Sequence, residues 1–308
     1  MSIPVLFIGG CGRTGSTLLA RMLAQVEGLF DIGELHYIWK SGFGRSIPCG
    51  CGKTFRECEF WTAVSQAALG TVTDEDVAHV RRMLHRIARV RRKPRVLQPL
   101  LKTPCWRATL REYGDILRKI LVEVHARTGC RVVVDSSKVP PHGLALTAAD
   151  ALDVHVVHLV RDPRAMAFSW QRRKPIPGAD GRMTVMNRMS YAKSARYWNQ
   201  DNRAAAELED RAASYLLLRY EDLVAEPEKH LRRVLGLVGA ADADMGFLAG
   251  REAELKPSHS ISGNPMRFES GAIDIRPDTE WRAKIDPAGA RRVLRVTRRL
   301  RERYGYLE

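Results

Sequence analysis

The sequence lacks any long apolar run: no stretch approaches the ~20 residues that a membrane-spanning helix requires. Its first residues lead directly into a short apolar segment, without the positively charged region that opens a secretory signal peptide. We therefore expect a cytoplasmic protein with reduced thiols and no transmembrane segment. Internal repeats and linkers are missing as well, so the 308 residues are expected to form one domain.

Acidic residues are few relative to basic ones, with 35 Asp and Glu against 50 Lys and Arg and a net charge of +15. The surplus is not accompanied by an aromatic-interleaved basic patch, a zinc module or a recognition helix, so nucleic acid is not an expected partner. The main positive runs, Arg86–Arg95 and Arg291–Arg303, have the helical spacing of solvated helix faces. An anionic nucleotide is the partner that the charge favours, because a basic cleft concentrates such a ligand.

The segment Val5–Val26 has the pattern of a phosphate-binding turn. Its apolar start predicts a buried strand, the glycines that follow permit a tight turn, and helical spacing begins at Ser16. A strand, a glycine-rich turn and a helix N-terminus together direct backbone N–H groups at one anion. We interpret the segment as a phosphate cradle.

Two familiar nucleotide loops match this cradle only in part. The triad Gly10, Gly12 and Gly15 fits the dinucleotide pattern G-x-G-x-x-G, and Glu34 lies near the distance expected of a ribose-binding acid. The Walker A pattern has Ser16 where its lysine should be, so an ordinary ATPase or kinase is not expected. An NAD(P)-dependent oxidoreductase remains an alternative on the glycines alone.

A third interpretation places the cation inside the loop, at Arg13. The run Arg13-Thr14-Gly15-Ser16-Thr17-Leu18 resembles the 5′-phosphosulfate loop of sulfotransferases that use 3′-phosphoadenosine 5′-phosphosulfate (PAPS). A second apolar run ends at Arg161, Asp162-Pro163 starts a helix, and Ser169 follows eight residues after the arginine. In that family an Arg and a Ser with this spacing bind the 3′-phosphate of PAPS. Both motifs together favour this family.

The resemblance implies roles for individual residues. Glu34, in a Gly-Glu pair after the second predicted strand, corresponds to the general base, with His36 and then His259 as further candidates. Lys138 resembles the lysine that stabilises charge near the bridging oxygen, together with Arg13. The implied nucleotide contacts are Gly12, Arg13, Thr14, Gly15, Ser16, Thr17, Leu18, Arg161, Ser169, Tyr220, Gly263 and Arg267.

The implied fold is α/β: a P-loop-like three-layer fold with a central, mostly parallel sheet flanked by helices. A helical insertion over about residues 40–128 would form the acceptor side. The implied reaction moves the sulfuryl group of PAPS to a hydroxyl or amine and leaves adenosine 3′,5′-bisphosphate (PAP), without a metal. A small molecule, a glycan or a lipid is compatible as acceptor, as is a homo-oligomer. A catalytically silent nucleotide-binding module is the non-enzymatic alternative.

Three cysteines, Cys49, Cys51 and Cys58, fall within ten residues. They lack the paired C-x-x-C spacing of the strong zinc modules, and the sequence shows no evident fourth ligand, although His36 is a candidate. Structural thiols are the first interpretation, a disulfide the second and a metal the third. No metal site is predicted on this basis.

Overall fold

The computed structural model describes residues 2–88, 102–173, 175–178 and 182–307. The strands are β1 (Ile3–Gly10), β2 (Leu29–Gly33), β3 (Val132–Lys138), β4 (Leu152–Val160), β5 (Pro175–Pro177), β6 (Met183–Val185), β7 (Ser214–Arg219), β8 (Leu248–Ala249), β9 (Glu252–Leu255) and β10 (Gly271–Asp274). The helices are α1 (Ser16–Leu23), α2 (Glu59–Leu69), α3 (Asp74–Ile87), α4 (Pro104–Thr128), α5 (Pro140–Thr147), α6 (Pro163–Ser169), α7 (Tyr191–Ala206), α8 (Tyr220–Ala225), α9 (Pro227–Gly236), α10 (Glu280–Lys284) and α11 (Pro287–Arg303). Short 3₁₀ and π turns cover Leu35–Tyr37, Ile38–Phe43 and Pro265–Phe268.

Five strands form the central sheet, in the order β2-β3-β1-β4-β7. Every neighbouring pair in it is parallel. The predicted α/β architecture with a parallel sheet flanked by helices is therefore confirmed. Within the described ranges, no helix is both long enough and apolar enough to cross a bilayer.

Helices cover both faces of the sheet, which explains why its strands are continuous apolar runs. In β1, Val5 and Phe7 join a core that includes residues of α2, α3 and α4. The alternate residues Leu6 and Ile8 join a second core with α1, α8 and α9. The sheet is thus the middle layer of three, and its carboxyl edge is the surface left open for chemistry.

Several element boundaries differ from the sequence-based expectation. The sequence pattern predicts a helix around Ala145–Asp150, whereas the helix lies earlier, over Pro140–Thr147, where a proline fits the first turn. The pattern also predicts a helix over Thr184–Asp210, but the helix begins at Tyr191, because Met183–Val185 pairs antiparallel with Pro175–Pro177. Residues 89–101 of the expected helical insertion lie outside the described residues.

A second sheet, β8-β9-β10, is antiparallel and was not predicted. Its first hairpin turns at Gly250, whose φ of +61° suits glycine. The strands hold two to four residues each, too short for their alternation to stand out in the sequence.

One buried charge fastens this C-terminal region to the first helix. The Arg21 side chain, fully buried on α1, donates hydrogen bonds to the carbonyl oxygens of Met266 (3.0 Å), Lys256 (2.8 Å) and Glu269 (2.8 Å). Burial lowers the pKa of Arg21, and the nearby Asp31 carboxylate acts in the opposite direction. The segment between β9 and β10, residues 256–270, is called the late loop below. These hydrogen bonds fix its position over the end of β2, where the candidate site begins.

Candidate active site

The loop between β1 and α1 is held in a conformation that its glycines make possible. Gly10, Arg13 and Gly15 have φ values of +124°, +71° and +91°. A Cβ atom at Gly10 would lie 2.5 Å from the carbonyl oxygen of Leu159, and one at Gly15 would lie 2.4 Å from the Tyr220 ring. The loop leads into Ser16, the first residue of α1, so the N–H groups of the first helical turn point toward any ligand in the loop.

A cavity of about 860 Å³ opens at the carboxyl edge of the sheet, above this loop. It brings together residues that the sequence analysis had selected from six separate parts of the chain. These are Gly12, Arg13, Gly15, Ser16, Thr17, Leu18, Glu34, Lys138, Arg161, Ser169, Tyr220, Gly263 and Arg267.

Three of the candidate residues, Thr14, His36 and His259, lie outside the cavity lining. Thr14 is fully buried, and its hydroxyl donates to the carbonyl of Cys11 at 2.9 Å. This hydrogen bond stabilises the loop from its buried side. The His36 ring lies edge-on against His142, with a centroid distance of 5.6 Å, and is not part of the cavity lining. Its backbone N–H donates to the Ser137 hydroxyl at 2.9 Å.

The Arg13 guanidinium projects from the loop beside the cavity. It lies over the Trp170 ring at 4.7 Å from the centroid, and its Nη1 contacts the Met186 sulfur at 3.1 Å. Its Nε and Nη2 atoms are buried and have no hydrogen-bond partner within the described part of the chain. Burial lowers the pKa of Arg13, partly offset by the charge of Glu34. An anion in the cavity would supply the missing acceptors.

Arg161 follows β4 and reaches the same loop from the other side. Its Nη1 donates to the Arg13 carbonyl at 3.2 Å, and its guanidinium lies 4.5 Å from the centre of the Tyr220 ring. Its Nε atom is buried without a partner among the described residues. Ser169, at the end of α6, is 6% exposed and lines the same cavity. Both residues of the predicted Arg–Ser pair therefore line one cavity.

Asp278, which the sequence did not indicate, holds Arg161 and is itself held by Arg172. Asp278 accepts a hydrogen bond from Arg161 Nη2 at 3.0 Å and two from Arg172, at 2.8 and 2.7 Å. Burial alone would raise the pKa of Asp278, but the hydrogen bonds from Arg172 and the charge of Arg161 lower it to about 2. A buried arginine requires a counter-charge, but this requirement does not show which carboxylate in the sequence supplies it. Asp278 therefore could not be predicted from the sequence.

Glu34 and Lys138 form a buried ion pair at the ends of β2 and β3. The Lys138 ammonium donates to the Glu34 carboxylate and, at 2.9 Å, to the carbonyl of Ser136. The Glu34 backbone N–H donates to the Ile261 carbonyl at 2.7 Å. A Cβ atom at Gly263 would lie 3.1 Å from the Glu34 carboxylate. The late loop therefore packs directly on the base candidate.

A fully buried network supports Lys138 from beneath. The Asp135 carboxylate accepts the Ser137 N–H at 2.8 Å and shares a 2.7 Å hydrogen bond with His142. The other His142 nitrogen hydrogen-bonds the Tyr113 hydroxyl at 2.9 Å. Since each polar atom has a partner, the network rigidifies the turn that carries Lys138.

Arg267 belongs to the Glu34 end of the cavity. It donates to the carbonyls of Gly263 (3.1 Å) and Pro48 (3.2 Å). Burial lowers its pKa to about 10, against the attraction of Glu34. His259, the third base candidate, lies with the cysteines instead: its Nδ1 is 3.4 Å from Cys58 Sγ and 3.9 Å from Cys49 Sγ.

Comparison with known proteins shows the family of the chain. The model of the sulfotransferase family matches residues 4–244, a range that contains the phosphate loop, the Glu34–Lys138 pair and the Arg161–Ser169 pair. The chain belongs to the sulfotransferase family.

Similar proteins include carbohydrate sulfotransferase 2 of Mus musculus and of Homo sapiens. Each is 32% identical over 173 residues, which cover 44% of this chain and 31% of the relative. The match thus spans under a third of the length of these relatives.

Similar solved structures are the sulfotransferase domains of the Synechococcus PCC 7002 olefin synthase and of the curacin biosynthetic pathway. Their TM-scores are 0.47 and 0.44, at 20% and 16% identity; the alignments cover 99% and 95% of this chain and 95% and 96% of the respective domains.

The contact between Gly15 and Tyr220 generates a stability prediction. Gly15→Ala adds a side chain at positive φ and against an aromatic ring, whereas Gly129→Ala adds one at a φ of +63° with no atom within 4 Å. Both changes incur a backbone cost of about 1–2 kcal/mol. We expect Gly15→Ala to cost roughly 1–3 kcal/mol more, because the ring must move. Urea unfolding of the two variants measures the difference; equal losses would show that Tyr220 does not press on the loop.

Proposed function

We propose that this sulfotransferase uses PAPS as its donor and transfers the sulfuryl group to a hydroxyl or amine of the acceptor, releasing PAP. One observation carries the proposal: a single cavity contains the Arg13 loop, the Arg161–Ser169 pair and the Glu34–Lys138 pair. Each set corresponds to a different part of the reaction.

In the strand order, the strands that lead to the two residue pairs lie on opposite sides of the strand that carries the loop. Strand β1, with the phosphate loop, lies between β3, which ends at Lys138, and β4, which leads to Arg161. Adjacent strands are about 4.8 Å apart, so the two pairs flank the loop on opposite sides. A nucleotide with its 5′-phosphosulfate in the loop would extend its 3′-phosphate toward Arg161 and present its sulfur toward Glu34.

The donor groups suit such a ligand. Buried nitrogens without partners in the described part of the chain include Nε of Arg13, Arg161 and Arg267, all three in residues of the cavity lining. A buried N–H without an acceptor is costly, on the order of 1–3 kcal/mol. Phosphate and sulfate oxygens would satisfy these groups, which supports an anionic nucleotide.

Bound PAPS supplies an activated sulfuryl group on a good leaving phosphate. In the proposed step the acceptor oxygen forms a bond to sulfur while the bond from sulfur to the bridging phosphate oxygen breaks. Glu34 takes the acceptor proton. Arg13, Lys138 and the loop N–H groups stabilise the negative charge that develops on the departing phosphate, each such donor typically being worth about 3–4 kcal/mol. Since fixed cations perform this task, the transfer is proposed to need no Mg²⁺.

Glu34 is the best placed of the three base candidates. Its carboxylate lines the cavity and pairs there with the Lys138 ammonium. His36 and His259 are not part of the cavity lining, and His259 contacts cysteine thiols.

The acceptor class is the least constrained part of the proposal. The Glu34 end of the cavity is lined by Tyr37, Lys40, Ser41 and Arg45, which belong to the segment after β2. These polar side chains suit a hydroxyl-rich or anionic acceptor. The partial similarity to carbohydrate sulfotransferases makes sugar hydroxyls the first acceptors to test.

A ligand titration tests the donor. We expect PAP to raise the melting temperature, because a ligand at one hundred times its Kd stabilises a protein by ~2.7 kcal/mol. ADP with Mg²⁺ and NAD⁺ serve as controls, since the first lacks the 3′-phosphate and the second tests the oxidoreductase alternative. A response to NAD⁺ without one to PAP would contradict the assignment of the loop.

A matched pair of variants tests the base. Glu34→Gln preserves the size of the side chain and a hydrogen bond to Lys138 but cannot take a proton. We expect its kcat to fall by about 10²- to 10⁴-fold, the range typical of a lost general base, with PAP affinity nearly unchanged. His36→Asn should retain most of the turnover.

PAP release from PAPS in the presence of a panel of sugars and amino sugars is the measurement for these variants. Full turnover by Glu34→Gln would exclude Glu34 as the base. A wild-type protein that binds PAP but turns over no acceptor would favour the silent nucleotide-binding module.

A further inference from the structure

Four side chains outside the cavity lining point to one spot. Cys49, Cys51, Cys58 and His259 each offer a ligand atom, and these atoms all lie within 4.8 Å of one another. Cys51 Sγ is 3.7 Å from Cys58 Sγ. The His259 Nδ1 atom is 3.4 Å from Cys58 Sγ and 3.9 Å from Cys49 Sγ.

The 3.7 Å sulfur–sulfur and 3.4 Å sulfur–nitrogen spacings match the edges of a tetrahedral zinc site, and the other spacings, up to 4.8 Å, are longer. With Zn–S bonds of about 2.3 Å and Zn–N bonds of about 2.0 Å, tetrahedral angles place two sulfurs about 3.8 Å apart and a sulfur and nitrogen about 3.5 Å apart. Three cysteines with one histidine are also a known ligand set of structural zinc sites. Soft thiolates exclude Mg²⁺ and Ca²⁺, which prefer oxygen ligands.

We propose that Cys49, Cys51, Cys58 and His259 bind one Zn²⁺ ion in a structural site. The three thiols would lose their protons to solvent and bind as thiolates, and neutral His259 would bind through Nδ1. Four protein ligands complete the tetrahedral shell and leave no open position for a substrate. The ion therefore has no part in sulfuryl transfer.

The local backbone prepares the cysteine half of this site. Cys49 and Cys51 lie on a tight turn in which the Gly52 N–H donates to the Cys49 carbonyl at 2.9 Å, with Gly52 at a φ of +90°. Cys58 directly precedes α2. A Cβ atom at Gly50 would lie 2.7 Å from the Ser258 carbonyl, so the turn can approach the late loop only with glycine there.

The histidine is oriented by its neighbours. The Trp61 indole N–H donates to the His259 carbonyl at 2.6 Å, and the Phe60 ring stacks on the imidazole at 4.8 Å between centroids. The motif Cys58-Glu59-Phe60-Trp61 thus supplies one ligand and both groups that position another. This gives the aromatic residues beside the cysteine a physical role.

The site fastens the late loop to the base candidate. Two residues after the histidine, the Ile261 N–H donates to the Ile32 carbonyl at 3.0 Å and the Ile261 carbonyl accepts the Glu34 N–H at 2.7 Å. The ion would close a loop between Cys58 and His259, which are 201 positions apart. A cross-link over such a span restricts the unfolded chain strongly.

With His259 beside the three cysteines, a metal site becomes the first interpretation of the cluster, ahead of structural thiols and a disulfide. A disulfide would use two of the four converging groups and leave a thiol and the imidazole unexplained. His36, the ligand candidate from the sequence, packs on His142 instead. The fourth ligand could not be found from spacing, because it comes from the other end of the chain.

Metal analysis of the purified protein tests the proposal. We expect one zinc per chain after purification under reducing conditions, and none in Cys58→Ser or His259→Ala. Cys105→Ser and His85→Ala, at exposed positions away from the cluster, are the matched controls and should keep the zinc. We also expect the zinc-free variants to melt several degrees lower than their controls.

A second measurement needs no variant. Cobalt exchanged into the wild-type protein should show thiolate-to-cobalt charge transfer and the intense visible bands of tetrahedral coordination. A folded wild-type protein that neither contains nor takes up zinc or cobalt would overturn the proposal, as would a Cys51–Cys58 disulfide in the peptide map or zinc retained by Cys58→Ser. None of these results depends on PAP binding. The zinc proposal can therefore be wrong while the proposed function is right.

Discussion

The position of β1 at the centre of the parallel sheet is the constraint on which the site depends. Its carboxyl end must turn sharply into α1, and the turn is possible because Gly10 and Gly15 adopt positive φ against Leu159 and Tyr220. The loop that results has β3 on one side and β4 on the other. The sheet therefore separates a Glu34–Lys138 side from an Arg161 side by topology alone, before any side chain contributes its chemistry.

Buried positive charge is the second feature of the site, and it is only partly compensated. Glu34 pairs with Lys138, and Asp278 pairs with Arg161 and Arg172. The Arg13 guanidinium has a sulfur atom and an aromatic face as its neighbours, with two buried nitrogens left without partners in the described residues. Such an arrangement is unfavourable in itself, and a bound anion would relieve it.

The parts of the site that could be predicted from the sequence are local in the chain. The Arg13 loop and the Arg161–Ser169 pair lie within single strand–turn–helix units, so spacing alone places their side chains. Arg172 and Asp278 were not predicted, and His259 was not predicted as a partner of the cysteines, because the contacting residues lie far apart in the chain. Arg161 and Asp278 are 117 positions apart, and Cys58 and His259 are 201 apart. The same reason explains the fold, where the apolar parallel strands were predicted and the short antiparallel strands of the late region were not.

The most direct test of the account compares the Kd values of PAP and of adenosine 5′-phosphate, which differ only in the 3′-phosphate. The wild type should prefer PAP by about 10- to 100-fold, corresponding to about 1.5–3 kcal/mol for hydrogen bonds to a charged group. Arg161→Met should remove that preference and lower the affinity for adenosine 5′-phosphate by a smaller factor, because Arg161 also donates to the Arg13 carbonyl of the loop. Arg164→Met, whose partner is Asp162, should keep the preference. A wild type without the preference, or an Arg161→Met variant that retains it, would contradict the proposed place of the 3′-phosphate.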